Sequence, residues 1–186
     1  MLAKLNLDLN SNKKEHSYYL LMDDVSQTSI RPVIEWIFDA NFATEDRPDM
    51  LNLMISSPGG DLTAGFALID VMRGSSIPIR TIGLGQIASA GLMIFIAGKK
   101  GERILTPNTS ILSHQFSWGS FGKAHELIAV AKEFDLTTQR MIAHYKKSTG
   151  MNDKTIREVL LPAQDVWMSG EEALQYGICD HVRDMK

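Results

Sequence analysis

Twice in the first hundred residues, a run with strand character stops at small residues and passes directly into a run with helical spacing. The first is MLNLMISSPGGDLTAGFALIDVM, residues 50–72, and the second is IRTIGLGQIASAGLMIFIA, residues 79–97. A chain that does this repeatedly is restricted to strand–helix alternation around a largely parallel sheet, which is an α/β architecture. The same reading places strands at 17–22, 50–56, 79–85, 103–105 and 110–115. It places helices at 26–42, 62–73 and 92–97. In the 26–42 segment Val33, Trp36, Ile37 and Ala40 recur at helical spacing, and Pro32 is tolerated in the first turns. Phe66, Ile69, Val71 and Met72 are the expected buried side of 62–73, and SYYLLM at 17–22 reads as a short buried strand. The tail is mostly helical. Its longest helix spans 123–147, with Leu127, Ala131, Phe134, Met141 and Tyr145 at apolar spacing and Gly150 just beyond its end. Shorter helices at 153–160 and 170–176 and a last strand at 178–182 complete the pattern.

A length of 186 residues suits one domain with a sizeable core, and 44% hydrophobic with 22% charged residues is the balance of a globular protein. The formal charge of -3 and the lack of a basic stripe argue against nucleic acid as a partner. The apolar run at 91–97 is too short to span a bilayer. MLAKLNLDLNSNKKEH lacks the apolar centre of a signal peptide, so a cytoplasmic location is expected. The single cysteine, Cys179, leaves no intrachain disulfide and no cysteine-rich metal site.

Four elements carry chemistry. Ser89 lies between a strand and an apolar helix, flanked by Ala88, Ala90 and Gly91. Such a turn lifts a hydroxyl to the sheet edge and aims backbone N–H groups at the same spot, as acyl transfer needs. A helix N-cap explains an isolated serine equally well. Ser57-Pro58-Gly59-Gly60-Asp61 lacks P-loop spacing; its paired glycines can turn N–H groups outward, or simply make a tight turn. His114 falls near the end of a strand, where it serves as a base or as a buried structural imidazole. Asp165, between Pro162 and Val166-Trp167-Met168, is either a cap or a carboxylate that orients a histidine, and spacing alone does not choose. His16, His125, His144 and His181 stand in polar contexts and are expected to be solvated.

Taken together, "ISSPGGDLTAGFALIDVM", "IGLGQIASAGLMIFIAGKKGERILTPNTSILSHQ" and "DVWMSGEEALQYGICD" resemble the proteolytic subunit of the Clp protease, the ClpP family, over residues 17 to 182. The resemblance implies the ClpP/crotonase fold, a spiral of strands with surrounding helices and a protruding handle helix at about 123–148. It implies one peptidase domain over 17–186 after a short axial segment at 1–16. It also implies the roles of the residues: Ser89 as nucleophile, His114 as general base, Asp165 as the acid that fixes the imidazole tautomer, and the amides of Gly60 and Ala90 as the oxyanion hole. The implied activity is a serine endopeptidase that cleaves unfolded polypeptide inside paired seven-membered rings. It would need no metal or organic cofactor and would be fed by a separate Clp ATPase or accompanied by related subunits, with neither nucleic acid nor membrane as partner.

The sequence also departs from the family pattern. Ala163-Gln164 replaces a charged pair that helps join rings, and the stretch between Gly150 and Asp165 carries a small insertion. Phe116 replaces a proline, and SWGSFG replaces a glycine-rich strand, bringing Trp118 and Phe121 into a region expected to line substrate and ring contacts. The segment before the first strand is short and polar, which leads to an expectation of an open pore and weak coupling to an unfoldase. Other readings are a ring subunit that no longer cleaves, a crotonase-like acyl-CoA enzyme, and a serine–lysine peptidase. The first usually lacks a triad residue, the second does not need Ser89 and His114 together, and the third would place a lysine where His114 stands.

Overall fold

Parallel strands buried against helices make the centre of the chain. The computed structural model describes residues 16–185; the axial segment expected over 1–16 falls outside them apart from His16. The sheet has seven strands: β1 (His16–Leu21), β2 (Met50–Ser57), β3 (Ile79–Ala88), β4 (Arg103–Leu105), β5 (Ser110–Ser113), β6 (Val166–Met168) and β7 (His181–Val182). Strands β1, β2, β3, β4 and β7 lie side by side in that order, all parallel. Strand β3 is ten residues long and changes neighbours along its length. Thr81–Gly83 pair with β4, whereas Gln86–Ala88 pair with β5, so the sheet forks at its functional end.

The helices are α1 (Gln27–Phe42), α2 (Leu62–Gly74), α3 (Ala90–Ile96), α4 (Ala124–Thr149), α5 (Asp153–Thr155) and α6 (Gly170–Gln175). Their starts are written in capping residues. Ser26 and Ser29 exchange side-chain and backbone hydrogen bonds at α1. Asp61 Oδ1 accepts from the amides of Thr63 (2.7 Å) and Ala64 (3.3 Å) at α2, and Ser169 with Glu172 does the same work at α6. α4 ends at Gly150, whose φ of 83° continues no helix. The core is the fully buried row Leu51, Leu53 and Ile55 of β2 packed on Val33 and Ile37 of α1, Leu68 and Ile69 of α2, and all of α3. Each such side chain contributes about 1.5–3 kcal/mol by leaving water. Arg103, itself buried, binds Asp180 through two hydrogen bonds (2.6 and 2.8 Å) and the Ser148 carbonyl (2.9 Å), tying β4, β7 and the end of α4 together.

The α/β alternation is as the sequence reads, with several local corrections. Strand β1 is not buried on both faces: Tyr19 and Leu21 pack inward, while Tyr18 and Leu20, and Met22 just beyond, are exposed. Helix α1 covers one face of this strand, where Tyr19 meets Trp36, and the alternate residues on the other face are left uncovered. In α2, Ile69 and Met72 are buried as expected, and Leu68 takes the place expected of Phe66 and Val71. The helix expected at 153–160 is one α turn followed by a π-helical turn, Ile156–Leu160, with Ile156 and Leu160 both buried. The strand expected at 178–182 is only His181–Val182, and residues 117–122 form no strand. Strand β6 lies outside the expected set: its antiparallel pairing with β5, not an alternation of its own residues, makes it a strand. No helix among the described residues is long and apolar enough to cross a membrane.

Candidate active site

Ser89 follows the last residue of β3 and precedes the first of α3. Its amide donates to the Leu112 carbonyl of β5 at 3.0 Å, and its carbonyl accepts from Met93 N at 3.2 Å. Between these anchors its backbone sits at φ 52°, ψ −120°, a conformation that costs a non-glycine residue on the order of 1–3 kcal/mol. Although Ser89 occupies the N-cap position, its side chain makes no capping bond. That disposes of the capping explanation: the hydroxyl is not spent on the helix, and it lines a cleft of about 510 Å³ together with Gly60 and His114.

The SPGG turn packs directly against this serine. Gly59 has φ +94°, and a Cβ there would lie 2.7 Å from Ser89 Cβ and from the Ala88 carbonyl oxygen. Gly60 has φ +143°, and a Cβ there would collide with the Val25 carbonyl. The flanking groups are fixed: Val25 N–H donates to Gly59 O at 2.8 Å and Asp61 N–H to Val25 O at 2.7 Å. Gly60 faces the cleft, while Ala90 is buried as the first residue of α3, where helix geometry leaves its amide without an intrahelical acceptor.

His114 and Asp165 are brought together by strand pairing. Strand β6 runs antiparallel to β5 with Ile111 opposite Met168, Leu112 opposite Trp167 and Ser113 opposite Val166. One further step in that register sets His114 opposite Asp165, and His114 Nδ1 is 3.3 Å from Asp165 Oδ1. With Ser169 capping α6, Asp165 is not needed as its cap. The His114 side chain is 27% exposed and that of Asp165 63%, so the pair lies at the surface of the isolated chain. No hydrogen bond joins Ser89 to His114 in this conformation; such contacts often tighten only in the Michaelis complex. Among the described residues no group of three His, Cys, Asp or Glu side chains could hold a metal ion.

The support beneath this pair was invisible in the sequence. Ser113 Oγ donates to the Leu160 carbonyl at 2.5 Å, and Gln115 Nε2 donates to the Leu161 carbonyl at 3.0 Å, so both neighbours of His114 are pinned to the segment leading to Asp165. The Tyr145 hydroxyl hydrogen-bonds with Ser113, and burial pushes Tyr145 up to about 12, which keeps it neutral. His144 reverses the expectation of a solvated side chain. It is 2% exposed, with Nε2 2.8 Å from the Met93 carbonyl and Nδ1 2.5 Å from Arg73 Nη2. Burial lowers its pKa to about 4, so it is neutral, donates to Met93 and accepts from Arg73. It thereby links α2, α3 and α4 behind the serine. His125 and His181 are exposed, as read from sequence. Phe116 and Trp118 do enter the cleft wall, each with its ring 5.1 Å from that of Phe134 on α4. Phe121 is fully exposed.

A family model described as Clp protease matches residues 9–186. Among curated proteins, "ATP-dependent Clp protease proteolytic subunit 2" of Nocardia farcinica is 38% identical over 141 residues, covering 75% of this chain and 68% of that protein. "ATP-dependent Clp protease proteolytic subunit 1" of Leifsonia xyli subsp. xyli is 37% identical over 143 residues, covering 76% and 71%. A subunit 2 of the same description from Thermobifida fusca is 36% identical over 140 residues, covering 75% and 68%.

Proposed function

The chain belongs to the Clp protease family and is a serine-type endopeptidase; from that premise we propose that Ser89, His114 and Asp165 form its catalytic triad and that the amides of Gly60 and Ala90 form its oxyanion hole. The observation that carries this reading is a strained serine, free of any capping role, lining one cleft with a histidine whose Nδ1 faces a carboxylate. With Nδ1–H held toward Asp165, His114 Nε2 is the basic nitrogen. It takes the proton from Ser89 Oγ as that oxygen attacks the peptide carbonyl, and returns it to the leaving amine. The carbonyl oxygen gathers negative charge against the Gly60 and Ala90 N–H groups. Water then enters, gives its proton to His114 and releases the acyl group from Ser89. Nucleophile, base and charge stabilisation all come from this chain, so the reaction calls on no metal or organic cofactor.

The remaining parts of the proposal concern assembly. Residues 17–186 act as one peptidase domain with α4 as its handle, and copies associate into seven-membered rings stacked in pairs around a chamber. A separate Clp ATPase, or companion subunits, delivers unfolded polypeptide in the cytoplasm, and any ATP is used by that partner. The exposed apolar residues of α4 support the ring contacts. A fluorophosphonate probe tests the chemistry: it is expected to label Ser89, with labelling lost in Ser89→Ala and sharply slowed in His114→Ala. Labelling that persists in Ser89→Ala, or is absent from the native chain, overturns the reading. Native mass spectrometry tests the rings, and a mass of one chain at high concentration contradicts them.

A further inference from the structure

His144 is an imidazole at a position where apolar packing would serve. Its neighbours on the buried side of α4 are Met141, Ile142 and Tyr145, and it is buried with them. What sets it apart is a polar contact with each of two other helices. Nδ1 lies 2.5 Å from Nη2 of Arg73, in the last turn of α2, and Nε2 lies 2.8 Å from the Met93 carbonyl of α3. A guanidinium has hydrogens to give and no lone pair to offer. Nδ1 therefore accepts, and the ring proton sits on Nε2, aimed at Met93. The bond to Met93 replaces one that α3 itself does not make. In an unbroken α-helix the Ala97 amide would donate to Met93, but α3 tightens at its end and that amide donates to Ile94 at 3.1 Å. His144 supplies the missing donor, and Arg73 fixes the tautomer that lets it do so.

The two helices joined in this way carry the two oxyanion amides at their other ends. Gly60 directly precedes Asp61, the N-cap of α2, and Ala90 is the first residue of α3. The helices approach closely there: a Cβ on Gly65 would stand 3.7 Å from the Cβ of Ala90. An oxyanion hole works only when its N–H groups converge on one oxygen, so the relative placement of α2 and α3 bears directly on catalysis. Every residue of α3 is buried and none is charged, and apolar contacts are non-directional. Two hydrogen bonds through one rigid ring are directional. The same link steadies the nucleophile. The Met93 amide donates to the Ser89 carbonyl at 3.2 Å, and the strained backbone of Ser89 persists only where its surroundings over-determine it.

Resting on the assignment of Ser89 as nucleophile and of the Gly60 and Ala90 amides as oxyanion hole, we propose that Arg73 and His144 are positioning residues for the reaction. They clamp α2 and α3 onto α4 in the arrangement that makes the two amides converge. Neither lines the catalytic cleft. Their effect falls on the step in which the carbonyl oxygen gains charge, so losing them lowers kcat and leaves KM in place.

The test uses the full chain, a fluorogenic peptide, and kcat and KM measured well below the unfolding midpoint of each variant. His144→Leu fills the site without either hydrogen bond and is expected to lower kcat about 10–100-fold with KM nearly constant. His144→Gln, whose amide offers a donor to Met93 and an acceptor to Arg73, is expected to recover most of that loss. Arg73→Met alters an exposed residue, which leaves the fold intact, and is expected to lower kcat about threefold to tenfold. Because the two act in series, the double variant Arg73→Met/His144→Leu is expected to be no slower than His144→Leu alone. Equal losses in His144→Gln and His144→Leu, or an effect confined to KM, overturn the proposal. Should His144→Leu fail to fold, Arg73→Met decides: an unchanged kcat there overturns the clamp. A fluorophosphonate separates the two levels of failure. Labelling of Ser89 in the native chain with kcat unmoved in the variants removes the clamp and leaves the triad standing, whereas absence of labelling overturns both.

Discussion

The two halves of α4 have opposite fates, and it is the more apolar, N-terminal half that stays exposed. In the C-terminal half, Met141, Ile142, His144 and Tyr145 are buried against the body of the protein. In the N-terminal half, Leu127, Ile128, Phe134 and Leu136 remain exposed, Ile128 by 72%. The buried half serves the site: Tyr145 braces the strand that carries His114, and His144 holds the carbonyl of Met93 in the helix that begins beyond Ser89. The exposed half meets the site through Glu133, which lines the cleft, and Phe134, against Phe116 and Trp118. One continuous helix thus spans two environments, and helical spacing alone does not say where the body of the protein ends. The exposed half is too apolar to be a solvated helix by design, which is the physical reason for assigning it to contacts between copies.

The sharpest separation of chemistry from scaffold comes from Ser89→Ala. Peptide hydrolysis is expected to fall by roughly 10⁴-fold or more, with thermal unfolding and native mass unchanged. An activity close to native would end the triad assignment. Next in size is the buried half itself. Tyr145→Ala removes a fully buried ring and is expected to cost about 3–5 kcal/mol, measured as a lowered unfolding midpoint, with hydrolysis falling alongside because Ser113 loses its brace. A neutral effect would mean that the two halves of α4 are not energetically distinct.

The third expectation concerns pH. His144 titrates near 4 in the folded chain because burial disfavours its charged form, against 6.5 when unfolded. The unfolded chain therefore binds the extra proton first as pH falls. The stability associated with neutral His144 is complete above about 6.5 and is lost progressively as pH drops from 6.5 towards 4, by about 3 kcal/mol in all. Unfolding midpoints measured across that range for the native chain and His144→Gln should show a steeper acid loss in the native chain; parallel curves would remove His144 from the account. The smallest effect on the chain itself belongs to the exposed half. Ile128→Ser is expected to shift monomer stability by no more than about 0.5 kcal/mol while lowering the mass of the assembly in light scattering. An assembly indifferent to Ile128→Ser and Leu136→Ser would show that this face is not what holds copies together.

Much of the fold was legible because its signals are local. Capping residues Ser26, Asp61 and Ser169, the glycine after α4, and the apolar runs of β2, β3 and α3 each act within a few residues. The strand–Ser89–helix turn is likewise a property of one short segment. Its glycine-rich neighbour is different: the need for Gly59 appears only when Ser89, thirty positions away, is seen against it. Sequence alone set out Ser89, Gly60, Ala90, His114 and Asp165 as candidates and the α/β class as their frame. Tertiary structure decided that Ser89 caps nothing, that Asp165 faces His114, that His144 is buried, and that half of α4 stands clear. The reason is one of range. Capping, turn conformation and periodicity are settled within a few residues, whereas the β5–β6 register, the burial of an imidazole and the reach of a helix beyond its core depend on segments separated by as many as 71 positions, and no short window of sequence contains both partners.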